Sequence, residues 1–68
     1  MARARIKNRI RELREASEMT QSQLAKLSGC TRQTIIMLEQ ERYVPSLSLA
    51  FAIADALNSP IEDVFEPE

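Results

Sequence analysis

Apolar residues recur along the chain three or four positions apart, which is the spacing of amphipathic helices. Ile6, Ile10 and Leu13 form the first such set, and they predict a helix over about residues 5–17. We assign no segment to a strand, since helical spacing is the pattern that recurs along the chain. The pattern therefore predicts helices throughout, with no strand.

The next two helices are predicted by capping residues as well as by spacing. Thr20 followed by Gln23 matches a capping box, in which each side chain accepts a hydrogen bond from the backbone N–H of the other residue. This second helix runs into Gly29, and Thr31 is suited to cap a third helix that ends near residues 40–41. The residues expected to face inward are Leu24, Ala25 and Leu27 in the second helix and Ile35 and Leu38 in the third.

Two further helices complete the expected fold. Ser46, after a proline that keeps the chain extended, is suited to cap the fourth helix. For the fifth, Ser59 is the expected cap, Pro60 the first helical residue, and Glu62 the second member of a capping box. The expected buried residues are Leu47, Ala50, Phe51, Ile53, Ala54 and Leu57 in the fourth helix and Ile61, Val64 and Phe65 in the fifth.

The only glycine in the chain, Gly29, lies between the second and third helices. Glycine readily adopts positive φ, and two helices joined by a short turn that contains glycine form a helix-turn-helix. The outward side of the third helix would then carry Arg32, Gln33, Ile36 and Met37. Arginine and glutamine can each form two hydrogen bonds with one base edge in the major groove of DNA.

Composition argues against catalysis and metal binding. The chain has no histidine, which removes the usual general base and the commonest metal ligand. With Cys30 as the only cysteine, no intrachain disulfide can form. Carboxylates remain, but 68 residues leave little room for a pocket that would shift their pKa values. We therefore expect no enzyme, no cofactor and no metal site.

Charge is distributed unevenly along the chain, although the formal net charge is −1. Residues 1–14 carry six basic residues and one acidic residue, whereas residues 53–68 carry five acidic residues and no basic one. This split suggests one face that binds a polyanion and another that is kept away from it. The alternative is that both runs are simply solvated faces.

The basic N-terminus is not followed by the apolar segment of a signal peptide. The longest apolar tract contains Asp55 and is too short to span a bilayer. We therefore expect a cytoplasmic protein with no membrane partner.

Four segments between residues 6 and 65 carry a family resemblance: IKNRIRELRE, TQSQLAKLSGCTRQTI, YVPSLSLAFAIADAL and PIEDVF. In this order they resemble the lambda-repressor-like helix-turn-helix proteins of the xenobiotic-response-element (XRE) family, which are similar to the phage repressor and Cro DNA-binding domains. The resemblance implies an all-α fold, namely a compact five-helix DNA-binding domain with its helix-turn-helix in helices 2 and 3. We expect residues 1–68 to form one such domain, with the helix-turn-helix at about 21–40.

The resemblance also implies roles for individual residues. The expected base-reading residues are Arg32, Gln33, Ile36 and Met37. The expected phosphate-binding residues are Gln21, Thr31, Thr34, Gln40, Arg42 and Tyr43. Arg14 and Glu39 match a structural ion pair between helices 1 and 3.

Some of these assignments have alternatives. Met37 can pack sideways against the core instead of reading bases. Tyr43 can cover the edge of the core instead of bonding a phosphate, and Arg14 can contact a phosphate instead of Glu39. Cys30 is either a redox sensor or a small buried hydrophobe.

The chain departs from the family pattern at three places. Ser28 lies where an apolar residue is commoner, and Glu41 follows the recognition helix where glycine is frequent. Ile36 and Met37 make the reading face more apolar than is usual in the family. Contact with thymine methyl groups would account for the last departure.

The apolar residues of the fifth helix either complete the core or form an interface. One module buries too little surface for tight specific binding, so we expect a homodimer with Pro60, Ile61 and Phe65 at its interface. The expected function is a transcriptional regulator without a small-molecule effector domain. It would be a repressor that binds a palindromic operator in double-stranded DNA, with helix 3 in the major groove. The alternative is a protein-interaction module, such as an adaptor or an antitoxin-like partner.

Overall fold

The computed structural model describes residues 6–67, which contain five helices and two short strands. In chain order these are β1 (Ile6–Asn8), α1 (Ile10–Ala16), α2 (Gln21–Ser28), α3 (Arg32–Glu39), α4 (Leu47–Ala56), α5 (Ile61–Val64) and β2 (Phe65–Pro67). Within these residues no helix has the length and apolar character needed to cross a membrane. The five predicted helices are present, and the all-α class is confirmed.

The prediction that the chain has no strand is wrong. β1 and β2 pair antiparallel, with Lys7 opposite Glu66. Because Ile6 belongs to this pair, α1 begins at Ile10 and not near residue 5. Apolar and polar residues do alternate from Ala2 to Lys7, which is a local strand signal for β1 that the helical interpretation passed over. The pairing of β1 with β2 depends on contact between distant parts of the chain.

The core lies where the helices meet. Ile35 and Leu38 direct α3 inward as predicted, and both side chains are fully buried. Ala25 is also buried, which is consistent with a small residue where α2 and α3 pack together. The buried cluster consists of Ile10, Leu24, Ala25, Ile35, Leu38, Ile53, Ala54, Leu57 and Val64.

Three apolar residues that were predicted to be buried are exposed. The exposed fractions are 63% for Leu27, 70% for Leu47 and 53% for Phe51. Helical spacing gives the direction of the inward stripe, but its width depends on how closely the neighbouring helices pack. In α2, Ser28 is buried and Leu27 lies outside the stripe.

Capping residues begin three of the helices as predicted. Thr20 Oγ1 accepts from the Gln23 N–H at 3.0 Å, and Gln23 Oε1 accepts from the Thr20 N–H at 2.8 Å. The capping box of α2 is therefore confirmed. Thr31 and Ser46 cap α3 and α4 in the same general way, each accepting one backbone N–H.

The predicted cap of the fifth helix is wrong. Ser59 Oγ donates to the Leu57 carbonyl at 3.1 Å, so it caps no helix. Pro60 precedes α5 instead of being its first residue, and no capping box forms with Glu62. The reason is that α5 begins one residue later than predicted, so Pro60 occupies the N-cap position and Ser59 lies before it.

The first four helices all end in a Schellman motif, in which a residue with positive φ lets two N–H groups bond the last turn. Gly29 has φ of 75°, and the corresponding residues Glu18, Glu41 and Asn58 have φ of 55°, 59° and 54°. A Cβ at Gly29 would meet nothing within 4 Å. The backbone angle, and not a lack of space, therefore favours glycine there.

Candidate nucleic-acid interface

The outward side of α3 carries the four residues that were expected to read bases. Arg32 and Gln33 lie exposed in the first turn, and Ile36 and Met37 lie half-buried in the next. Among residues 6–67, Arg32 takes part in no ion pair. Its guanidinium group and the Gln33 amide are therefore available to an external partner.

Two threonines organise the beginning of α3. Thr31 Oγ1 accepts from the Thr34 N–H at 3.2 Å and lies 3.0 Å from Thr34 Oγ1. Only one hydroxyl hydrogen is used between the two side chains, so the other hydroxyl can still donate outward. Such a donor at the positive end of a helix suits an anionic ligand.

A largely buried ion pair joins α1 to the end of α3. Arg14 Nε donates to Glu39 Oε2 at 2.7 Å, and Arg14 Nη2 donates to Glu39 Oε1 at 3.3 Å. Arg14 also donates to the Met19 carbonyl at 2.9 Å. The side chains of Arg14 and Glu39 are 11% and 6% exposed, so Arg14 is not free to contact a phosphate.

Gln21 is part of the same network. Its Nε2 donates to Glu39 Oε1 at 3.1 Å, which ties the first residue of α2 to the last residue of α3. The hydrogen bond that Arg14 donates to the Glu39 carboxylate raises the pKa of Arg14, so this arginine keeps its charge. The Gln21 amide has a second N–H, which remains able to donate to a ligand.

Gln21, Ile36 and Gln40 line one open cleft beside α3. The exposed loop after α3 begins beside this cleft and carries Arg42 and Tyr43. The Arg42 N–H bonds the Met37 carbonyl at 2.9 Å, which ties the start of the loop to the helix. The structure thus brings the predicted base-reading and phosphate-binding residues to α3, its flanking loop and the start of α2.

The basic run at the N-terminus contributes less free charge than its composition suggests. Arg9 Nη2 lies 2.6 Å from Glu12 Oε2, and Arg11 Nε lies 3.4 Å from Glu15 Oε2. Lys7 is exposed on β1. Arg3 and Arg5, the first two members of the basic run, lie outside the described residues.

An apolar patch lies at a different part of the surface. It surrounds a shallow groove, and its members are Ile6, Val44, Pro45, Leu47, Ala50, Ile61 and Phe65. Val44 and Leu47 are 63% and 70% exposed, whereas Ile61 and Phe65 are half-buried. The helical spacing predicts Leu47 in the core and gives no role to Val44. Of the predicted interface residues, Pro60 is exposed and directly precedes Ile61.

Comparison with known proteins decides the family. A family model described as helix-turn-helix matches residues 10–64. The chain belongs to this helix-turn-helix family. The resemblance to XRE-type regulators is thereby confirmed.

The relatives of this helix-turn-helix chain are regulators. An uncharacterized HTH-type transcriptional regulator of Archaeoglobus fulgidus is 48% identical over 60 residues, covering 88% of this chain and 84% of that protein. The immunity repressor protein of Bacillus phage phi105 is 33% identical over 63 residues, covering 93% of this chain and 44% of the repressor.

A solved structure supports the same assignment. The restriction-modification controller protein C.AhdI from Aeromonas hydrophila superimposes with a TM-score of 0.78 at 34% identity, over 81% of this chain and 83% of that one. The chain is therefore a DNA-binding transcriptional regulator of the helix-turn-helix type and not an enzyme.

Asn8 also positions the helix-turn-helix, although the sequence pattern did not predict a role for it. Asn8 Nδ2 donates to the Leu38 carbonyl at 2.7 Å, and its Oδ1 accepts from the Ile10 N–H at 3.1 Å. The Asn8 N–H also lies 3.4 Å from Glu41 Oε2. An asparagine just before a helical stripe is a capping signal, which would have identified the second of these bonds.

Cys30 is half-buried in the turn between α2 and α3. Burial raises the pKa of its thiol, which keeps it protonated at neutral pH. A protonated thiol is a poor nucleophile, so the side chain serves as a small hydrophobe packed against the core. Within residues 6–67 no group of acidic, cysteine or histidine side chains is arranged to hold a metal ion.

Proposed function

We propose that this helix-turn-helix regulator is a repressor that binds a palindromic operator as a homodimer, with α3 in the major groove. The observation that carries the proposal is the outward side of α3, where Arg32 and Gln33 are exposed in the first turn. The first turn of a recognition helix is the part that contacts base edges. The name of the phage phi105 relative, an immunity repressor, supports repression over activation.

Base reading is assigned to four residues of α3. Arg32 can bond O6 and N7 of one guanine, and Gln33 can bond N6 and N7 of one adenine. Ile36 and Met37 follow one turn later on the same side of the helix. Their half-buried side chains offer apolar surface to the groove.

Phosphate binding is assigned to residues at the start of α2, at the start of α3 and in the loop that follows α3. Gln21 lies at the first position of α2, where backbone N–H groups and the helix dipole favour an anion. Arg42 adds a full positive charge from the exposed loop. Phosphate contacts of this kind set register without carrying sequence information. The assigned set is Gln21, Thr31, Thr34, Gln40, Arg42 and Tyr43.

The apolar patch, together with Pro60, is assigned to the dimer interface. Val44 and Leu47 expose large apolar side chains next to the half-buried Ile61 and Phe65. A second copy of the same chain would cover this surface around a two-fold axis. The two α3 helices would then be about 34 Å apart, which is one turn of duplex DNA. We place this activity in the cytoplasm and in a single domain of residues 1–68, with the helix-turn-helix at 21–40.

Selection of bound sites from random duplex DNA tests the proposal. The expected result is a site with two-fold symmetry whose half-sites are one helical turn apart. Placed within a promoter, that site should reduce reporter expression when the protein is present. Asymmetric sites would contradict the dimer. Weak, strongly salt-dependent binding without a preferred sequence would instead indicate an interaction module.

A further inference from the structure

The reading face of α3 changes character along its length. Arg32 and Gln33 offer hydrogen bonds in the first turn, whereas Ile36 and Met37 occupy the second turn. An isoleucine side chain can neither donate nor accept a hydrogen bond, and a thioether is at most a weak acceptor. The second turn therefore cannot read bases by the donor and acceptor pattern of their edges.

Ile36 and Met37 are only half-buried in the free protein. Ile36 borders the cleft that it shares with Gln21 and Gln40, so its remaining apolar surface faces an open, polar-edged space. Among the base edges in the major groove, thymine alone presents an apolar group, its C5 methyl. A thymine methyl placed against this surface would remove apolar area on both molecules from water.

We propose that Ile36 and Met37 read thymine methyl groups. The operator half-site then contains thymines beside the bases bonded by Arg32 and Gln33. The inference rests on the proposed function, since it requires α3 to lie in the major groove. It adds the chemical class of base that the second turn selects.

Recognition through the thymine methyl group predicts a different response to modified bases than recognition through hydrogen bonds does. Thymine and cytosine differ in the groove at the 4-position, where thymine accepts a hydrogen bond and cytosine donates one. The apolar side chains of Ile36 and Met37 form no hydrogen bond with the 4-position and cannot distinguish the two bases there. They do contact the methyl group at the 5-position. A 5-methylcytosine should therefore replace a contacted thymine, whereas an unmodified cytosine should not. Binding at such a position would respond to cytosine methylation.

The test uses the operator obtained by selection, with each thymine replaced singly by deoxyuridine, which lacks only the methyl group. At the contacted thymines, loss of the methyl should weaken binding about fourfold, the value of one buried methyl-sized group. Thymines elsewhere in the duplex should tolerate the change. Replacement of a contacted thymine by cytosine should also weaken binding, and 5-methylcytosine should restore it.

Protein variants show whether Ile36 and Met37 are the residues that respond to loss of the thymine methyl group. In Ile36→Ala or Met37→Ala the ratio of thymine to deoxyuridine affinity should fall towards one at the matching position. Ile36→Val removes the least side-chain volume, so it should stay folded and retain part of the thymine-to-deoxyuridine affinity ratio. This variant therefore distinguishes a lost contact from a folding defect. Arg32→Ala is the matched control on the same face, because it should weaken binding overall while leaving the ratio unchanged.

Several results would overturn the inference. One is a preferred operator in which every thymine tolerates deoxyuridine. Another is a methyl effect that persists unchanged in both alanine variants. Each would leave the proposed function intact, since the operator itself would still be bound. If no preferred sequence emerges from the selection, the proposed function fails and the inference fails with it.

Discussion

Four residues with positive φ end four helices, and one of the four is glycine. Glutamate and asparagine occupy the other three positions, although the left-handed conformation costs a residue with a Cβ about 1–2 kcal/mol. Asparagine is one of the few residues that visits this region readily, whereas a β-branched residue is poorly tolerated. Gly29 therefore matters through its backbone angle, and this angle directs the chain from α2 into α3.

Gly29→Val should lower the free energy of unfolding by roughly 1–2 kcal/mol or more. Gly29→Asn is the matched control, because asparagine tolerates φ near 75°, and we expect a change of less than about 1 kcal/mol. Urea denaturation followed by circular dichroism measures both variants. Equal stability of the valine variant and the parent would show that φ at this turn is not restrictive.

Ser28 is a second residue whose environment does not match its chemistry. The side chain is 8% exposed, and its Oγ finds no hydrogen-bond partner within residues 6–67. Ser28→Ala should raise the free energy of unfolding by about 1 kcal/mol, since it removes an unsatisfied polar group and favours the helix. Ser22→Ala, at an exposed position of the same helix, reports the helix propensity alone and should change stability by less than about 0.5 kcal/mol. A Ser28→Ala variant less stable than the parent would mean that the hydroxyl is satisfied in solution.

At the scale of elements, the position of α3 depends on contacts at its carboxyl end. Glu39 accepts hydrogen bonds from Arg14 of α1 and Gln21 of α2. Asn8, the last residue of β1, donates a hydrogen bond to the Leu38 carbonyl in the same turn of α3. Three elements therefore hold the end of α3 while its first turn stays exposed for DNA.

Glu39→Gln should destabilise the protein by about 3 kcal/mol, because it leaves the Arg14 charge largely buried without a counter-charge. Glu15→Gln is the control, since the Arg11–Glu15 pair is exposed and such pairs contribute about 0–1 kcal/mol. Thermal unfolding of both variants, at low and high salt, provides the measurement. Destabilisation of equal size in the two variants would show that the buried pair has no special role.

Local sequence signals predicted the parts of the fold that depend on neighbours in the chain. The starts of α2, α3 and α4 follow from Thr20, Thr31 and Ser46, whose side chains bond N–H groups three residues on. Pairing of β1 with β2 escaped prediction because it joins the two ends of the chain. Likewise the exposure of Leu47 depends on which helices pack nearby, and not on its place in the helical repeat.

In the candidate site, too, the sequence predicted what depends on local spacing and did not predict a contact between distant residues. Helical spacing alone placed Arg32 and Gln33 on the outward side of α3, because buried residues on the opposite side define its orientation. Family resemblance suggested the pairing of Arg14 with Glu39, but the bond from Gln21 to the same carboxylate was not foreseen. That bond joins residues 18 positions apart, a tertiary contact that no local pattern encodes.

At the scale of the whole molecule, the surface separates into a DNA-facing side on α3 and the apolar patch. Leu47 and Leu27 are both exposed leucines on helices, with 70% and 63% of their surface accessible. Leu47 belongs to the patch and Leu27 does not. The two residues therefore give a matched pair of positions for testing assembly.

Leu47→Glu should weaken dimerisation at least about tenfold, because an unpaired carboxylate would be buried at the interface. Leu27→Glu should leave the dimer unchanged. Sedimentation velocity over a range of concentrations measures the effect, with circular dichroism to confirm that both variants fold. If both variants dimerise like the parent, or if the parent is monomeric at high concentration, the apolar patch is not the interface.

The central claim is that α3 reads bases while its surroundings bind the phosphate backbone. Arg32 and Gln33 can each form two hydrogen bonds with one base, so their loss should affect one base pair more than others. Arg42 and Gln21 should act alike on every sequence, since phosphates carry no sequence information directly. Only the Arg42 substitution removes a positive charge from this second pair.

The most direct measurement is the affinity of four variants, Arg32→Ala, Gln33→Ala, Gln21→Ala and Arg42→Ala, for the selected operator, its single-base variants and unrelated DNA at several salt concentrations. The first two should lose about 1–3 kcal/mol at the operator and relax the preference at one base pair each. Arg42→Ala should weaken binding to all sequences and lower the salt slope by about 1, whereas Gln21→Ala should weaken binding uniformly with the slope nearly unchanged. If Arg32→Ala and Gln33→Ala lose affinity equally on every sequence, α3 is not the reading element and the account is wrong.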